Sequence, residues 1–118
     1  MKKKILCFDL DNVICTTYKN HYTKSKPKKK KVKLINQLYD QGFIIKILTA
    51  RYSGRFNDDF SKVKKKGFKK TSNQLNKWGL KYHKLFMTKP SFDFYIDDKS
   101  YAFNNNWSKY IKKKFLNK

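Results

Sequence analysis

The apolar positions of this chain fall into two periodicities. Residues 4–9 (KILCFD), 43–50 (FIIKILTA), 84–88 (KLFMT) and 92–98 (FDFYIDD) are short runs in which apolar side chains follow one another without alternation. Runs of that length, apolar on both faces, predict strands buried in a parallel sheet between helix layers. In residues 27–41 the spacing changes, and Val32, Leu34, Ile35, Leu38 and Tyr39 form a stripe on one side of a helix. Pro27 stands near its start and Gly42 just past its end, the usual punctuation of a helix. Thr71 to Lys77 reads as a second helix stopped by Gly79, and residues 106–116 (NWSKYIKKKFL) as a third. Strands alternating with helices imply right-handed β-α-β crossovers. The fold class predicted is therefore α/β, a three-layer Rossmann-like parallel sheet flanked by helices. A length of 118 residues with 39% apolar content predicts one domain over residues 1–118.

Sheets of this kind hold ligands beyond the carboxyl ends of their strands. The acidic residues point to the same place. There are eight of them against thirty basic ones, all are Asp, and four form two compact sets, Asp9/Asp11 and Asp97/Asp98, each directly after a strand-like run. Two acidic clusters at two strand ends suggest one metal site. A strand-end carboxylate can attack phosphorus if a divalent cation neutralises the charge between nucleophile and substrate. Mg²⁺ needs few protein ligands, so Asp9, one of Asp97 and Asp98, and a backbone carbonyl suffice. Asp11, two residues on, suits a proton donor to the leaving oxygen and then a base toward water. Thr49 and Lys89 are the hydroxyl and the cation available to hold phosphoryl oxygens. Plainer roles stand beside these: Asp9 and Asp11 as caps of a turn, Thr49 as a helix N-cap, Lys89 as a solvated lysine. Arg51 either touches substrate or pairs with Asp58 or Asp59.

DLDNV at 9–13, ILTAR at 47–51, TKP at 88–90 and YIDD at 95–98 resemble, in order, the four motifs of the haloacid dehalogenase (HAD) superfamily. The stretches TARYSGR, TSNQLNKWGL and KPSFDFYIDD are also similar to small bacterial capsule-biosynthesis and sugar-phosphate phosphatases of that superfamily. The resemblance implies that Asp9 is the nucleophile, with Asp11 as general acid/base and a metal ligand through its backbone carbonyl. Thr49 and Lys89 become the phosphate clamp, joined by Asn12, and Arg51 a substrate contact. Asp98 becomes a metal ligand with Asp97 beside it. Asn12 stands where many relatives have Gly, and Val13 where phosphatases often have Thr.

A formal charge of +22 invites a nucleic-acid reading, because basic surfaces release counterions from phosphate backbones. Yet 28 of the 30 basic residues are Lys, Glu is absent and Asn is frequent, a bias that an AT-rich genome also produces. Base recognition leans on the arginine fork, and the chain has only Arg51 and Arg55. Tyr82, Phe86, Phe92, Phe94 and Trp107 read as core rather than as a stacking platform. Cys7 and Cys15 read as reduced, partly buried thiols, and His21 and His83 lie far from any Cys pair, which leaves no zinc pattern. No run is long enough for a membrane helix or signal-peptide core, so a cytoplasmic protein without membrane contact is expected. The segments between the motifs are too short for a cap domain. An uncapped site implies shielding in a homo-oligomer or a substrate large enough to cover it. The sequence thus predicts a Mg²⁺-dependent phosphomonoesterase acting through an aspartyl-phosphate on a small phosphorylated metabolite such as a sugar phosphate. A nucleic-acid 3′/5′-end phosphatase and a non-catalytic basic nucleic-acid-binding module are the alternatives.

Overall fold

A computed structural model of the chain describes residues 4–19, 21–51, 63–87, 94–96 and 105–116. Its order is β1 (Ile5–Asp9), β2 (Cys15–Thr16), β3 (Lys26–Pro27), α1 (Lys29–Asp40), β4 (Ile44–Leu48), α2 (Phe68–Lys77), β5 (Lys84–Phe86), β6 (Phe94–Ile96) and α3 (Trp107–Phe115). Strands β5, β4, β1 and β6 form one parallel sheet in that order. The chain steps from β1 outward through β4 to β5, then returns to the other side of β1 as β6. That reversal opens a crevice at the carboxyl end of β1. The protein is thus a Rossmann-like α/β fold, as its apolar runs predict.

Alternation divides the sheet into two faces. Leu6 and Phe8 of β1 share a face with Ile45 and Ile47 of β4, Leu85 of β5 and Ile96 of β6. These residues form one buried cluster with Val32, Leu34, Ile35 and Leu38 of α1, Leu75 of α2, and Trp107, Ile111 and Phe115 of α3. Phe8 and Trp107 pack with ring centroids 5.7 Å apart, and Phe43 meets Phe115 edge-on at 5.4 Å. Cys7 points to the opposite face and is buried. Burial pushes its thiol up to about 12, Asp9 adds to the shift, and Lys46 opposes it.

Both α1 and α2 end by the same device. Gly42 (φ 99) and Gly79 (φ 73) are left-handed, and each, with the residue after it, closes a pair of hydrogen bonds across the last turn. Gly42 N donates to Tyr39 O and Phe43 N to Leu38 O, while Gly79 N donates to Asn76 O and Leu80 N to Leu75 O. This pairing satisfies carbonyls that the helix leaves unpaired and lets the next strand turn back. The helix starts differ from the expected ones. Pro27 lies in β3, paired with Cys15, rather than in the first turn of α1. The reason is tertiary: Lys28, in an extended conformation, donates its N–H to Ile14 O and holds the chain away from the helix. Neither α1 nor α2 has a side-chain cap or an acid in its first turn, so packing of the apolar stripe is what holds them. Ahead of α2, residues Val63–Gly67 form a π-helical turn, and the helix begins earlier than the expected Thr71.

Candidate functional site

The site grows out of the end of β1. Asp9, half-buried, is in register with Leu48, and the next amide, Leu10 N, donates to Leu48 O at 3.1 Å. Leu10 O then accepts from Val13, Ile14 and Cys15, which winds the chain into a tight turn. Asn12 sits in that turn at φ 64, a conformation Asn tolerates better than most residues with a Cβ. Asn12 N donates to Cys15 O at 2.8 Å and its Oδ1 accepts from Thr17 N at 3.2 Å. This turn places the two aspartates differently, Asp9 at the strand end and Asp11 inward.

Asp11 meets a buried arginine. Arg51 Nη2 lies 2.8 Å from Asp11 Oδ1, and Nε donates to both carboxylate oxygens at 3.0 and 3.1 Å. The Arg51 side chain is 1% exposed, that of Asp11 21%. Burying a guanidinium is costly unless its donors are met, and here they are. Nη1 donates to Gln74 Oε1 at 2.6 Å, Nη2 to Ser25 Oγ at 3.2 Å, and the group stacks on Tyr22 at 5.2 Å. Thr17 Oγ1 donates to Asp11 Oδ1 at 2.6 Å, so the 2.6 Å contact between Thr17 and Ser25 must carry the Ser25 hydrogen. A closed ring results, running from Arg51 to Ser25, Thr17, Asp11 and back. Cys15 borders it, and burial raises its thiol first, with Thr17 opposing and Asp11 adding to the shift.

Thr49 is fully buried after β4. Its Oγ1 accepts from Arg51 N at 3.1 Å, the local bond of a capping hydroxyl, and donates to Asp11 Oδ2 at 3.3 Å. The structure therefore brings together Asp9, Asp11, Asn12, Thr49 and Arg51. Arg51 pairs with Asp11, a partner not foreseen for it, while Asp58 and Asp59 lie outside the described residues, as do Lys89, Asp97 and Asp98. No motif or periodicity in the sequence marks Thr17, Ser25, Tyr22 or Gln74 as part of the site. Three of them come from the loop and turn before β3, and Gln74 from a polar stripe on α2. The one available signal was that Arg51 is a rare Arg among lysines.

The fit to Mg²⁺ can be tested on the donors. Asp11 spends its carboxylate on Arg51, Thr17 and Thr49, so its side chain is not a metal ligand here. Asp9 and a main-chain carbonyl of the turn are hard oxygen donors of the kind Mg²⁺ takes. Among the described residues no group of three or more His, Cys, Asp or Glu stands ready as a complete ligand set.

No protein-family profile matches the chain, and no curated protein matches its sequence. Solved structures do match its shape. A structural-genomics target from Vibrio cholerae aligns with a TM-score of 0.69 and 22% identity over 94% of this chain and 98% of its own. A conserved protein from Bacteroides thetaiotaomicron aligns at 0.70 with 12% identity over 99% and 93%. A chain of the Pnkp1/Rnl/Hen1 complex aligns at 0.51 with 15% identity, over 97% of this chain but 34% of that one. At these identities the likeness is one of fold. Among the described residues no helix is long and apolar enough to cross a membrane.

Proposed function

We propose that this protein is a cytoplasmic, Mg²⁺-dependent phosphomonoesterase of the HAD type, with Asp9 as nucleophile and a small phosphorylated metabolite, such as a sugar phosphate, as substrate. The observation that carries the reading is the division of labour between two aspartates in one turn. Asp9 stands at the strand end, and Asp11 is fixed two residues on by Arg51, Thr17 and Thr49. In the proposed reaction an Asp9 oxygen attacks phosphorus and the bond to the leaving oxygen breaks. Asp11, entering the reaction as the protonated acid, delivers its proton to that oxygen, then takes one from the water that attacks the aspartyl-phosphate, which returns Asp9 as a carboxylate and Asp11 as the acid and releases phosphate. Asp9, the Asp11 carbonyl and one of Asp97 and Asp98 would hold Mg²⁺, which when bound offsets the charge between carboxylate and phosphoryl group. Lys89 is the proposed cation of the phosphate clamp, with Thr49 and Asn12 lining the turn. Arg51 acts through Asp11 and is a positioning residue. With no cap in the sequence, a homo-oligomer or the substrate itself shields the site.

A nucleic-acid-end phosphatase is the second reading, favoured by the +22 charge and by the fold shared with part of the Pnkp1/Rnl/Hen1 complex. One screen separates them. Sugar phosphates, nucleotides and 3′- and 5′-phosphorylated oligonucleotides are assayed with Mg²⁺, with chelator and with Ca²⁺, at low and physiological salt. Efficient, weakly salt-sensitive hydrolysis of a sugar phosphate is expected, lost with chelator and inhibited by Ca²⁺. Each phosphate contact to duplex would add about 0.9 to the slope of log affinity against log salt, or about 0.7 for a single strand. An oligonucleotide end as best substrate, with a steep slope, selects the second reading.

A further inference from the structure

Beside Arg51 lies a cavity of about 470 Å³. Four of its lining residues, Lys70, Asn73, Gln74 and Lys77, are spaced i, i+3, i+4 and i+7 along α2, so they form a single polar stripe facing it. Tyr22, Thr23, Ser25, Arg51 and Trp78 complete the lining. Among the described residues the lining holds three cations, two aromatic rings and no carboxylate. Such a concave site, cationic with flat apolar walls, matches a small anion that carries a ring. The cavity is also wired to the turn. Gln74 donates Nε2 to Tyr22 O at 2.9 Å and accepts from Arg51 Nη1, whose other nitrogens hold Asp11.

We infer that this cavity is a second anion-binding site, taking a phosphate or carboxylate of a ring-bearing small molecule between Lys70 and Lys77 against Trp78. This goes beyond the phosphatase reading and does not rest on turnover. The anion is either a second charged group of the substrate or a separate small anion whose occupancy is felt at Asp11 through Gln74 and Arg51.

The test is calorimetric binding of glucose 1,6-bisphosphate, glucose 6-phosphate and inorganic phosphate to three proteins: the wild type, Lys70→Met/Lys77→Met, and Lys112→Met/Lys113→Met. The third removes two charges from exposed positions on α3 and controls for the general field. Affinity for at least one probe should fall tenfold or more in the α2 variant and stay within twofold in the α3 control. Loss confined to the bisphosphate assigns the site to a second group of one molecule. Loss for inorganic phosphate, with a titration of Trp78 fluorescence that vanishes in Trp78→Phe, assigns it to a separate anion. Equal affinities in all three proteins, or equal losses in both variants, overturn the inference. Absence of hydrolysis of every phosphomonoester, with the α2-specific loss intact, overturns the phosphatase reading instead.

Discussion

Two interiors meet in this protein, and they are built from opposite materials. Beneath the sheet, Leu6, Phe8, Ile45 and Ile47 are sealed by α1, α2 and α3 in a core held by apolar burial. At the carboxyl ends of the same strands, Arg51, Asp11, Thr17, Ser25, Thr49 and Gln74 form a largely buried polar cluster held by hydrogen bonds and one ion pair. The apolar core is built from many interchangeable contacts. In the polar one, each donor has a specific acceptor, and removing a single group strands its neighbour. The second construction supplies rigidity around Asp11, the group proposed to move the proton.

Substitutions should separate the two. The largest effect is expected at Asp11→Asn, which keeps an acceptor for Arg51 but removes the proposed acid/base group. kcat should fall by roughly 10²- to 10⁴-fold, most for poor leaving groups, as measured with alkyl against activated aryl phosphates. Equal losses on both would remove Asp11 from proton transfer. In the apolar interior, Phe8→Ala should cost about 3–5 kcal/mol of stability by denaturant titration, while the protein that remains folded keeps its kcat. Arg51→Met should cost about 2–3 kcal/mol. That is below the usual range for breaking a buried pair, because Asp11 remains 21% exposed and can turn to water. Unlike Phe8→Ala, it should also lower kcat. A double-mutant cycle with Asp11→Asn should show strong coupling, and additive effects would dissolve the ring as a unit.

The smallest effect concerns Cys7. Its folded pKa, about 12, lies above the ordinary 9.0, so the folded state keeps a proton that the unfolded chain gives up. The sign follows: this contribution is fully present below pH 9 and is lost as pH rises from 9 toward 12. Cys7→Ala should flatten the alkaline limb of the stability profile. Native protein should resist thiol reagents at pH 8 and react only in denaturant.

Sequence made the first interior legible and the second only in part, pointing to Asp11, Thr49 and Arg51 but not to Thr17, Ser25 and Gln74, which join them. Val32, Ile35 and Leu38 announce a helix because apolar burial repeats with the helix period, and ILCF announces a buried strand by its continuity. Gly42 and Gly79 mark helix ends because a left-handed residue is needed there. The same demand accounts for Asn12, which replaces the Gly of the resembled motif at φ 64. The polar ring has no period. Arg51 and Ser25 are 26 positions apart and Arg51 and Gln74 are 23 apart, and only the tertiary fold joins them. Pro27 misled for a related reason, since the ribbon with Cys15 outweighed its preference for a first helical turn.

Asp9 is the proposed carrier of the phosphoryl group, and trapping that group tests the proposal directly. Wild-type protein and Asp9→Asn, shown by circular dichroism and melting to be equally folded, are mixed with Mg²⁺ and the best substrate of the screen and quenched in acid within the first turnovers. Peptide mass spectrometry then locates the label. The account predicts one acid-stable, hydroxylamine-labile phosphoryl group on the peptide containing Asp9, with no label and under a few per cent of turnover in Asp9→Asn. Turnover that persists in Asp9→Asn, or a phosphoryl group on another residue, would contradict it.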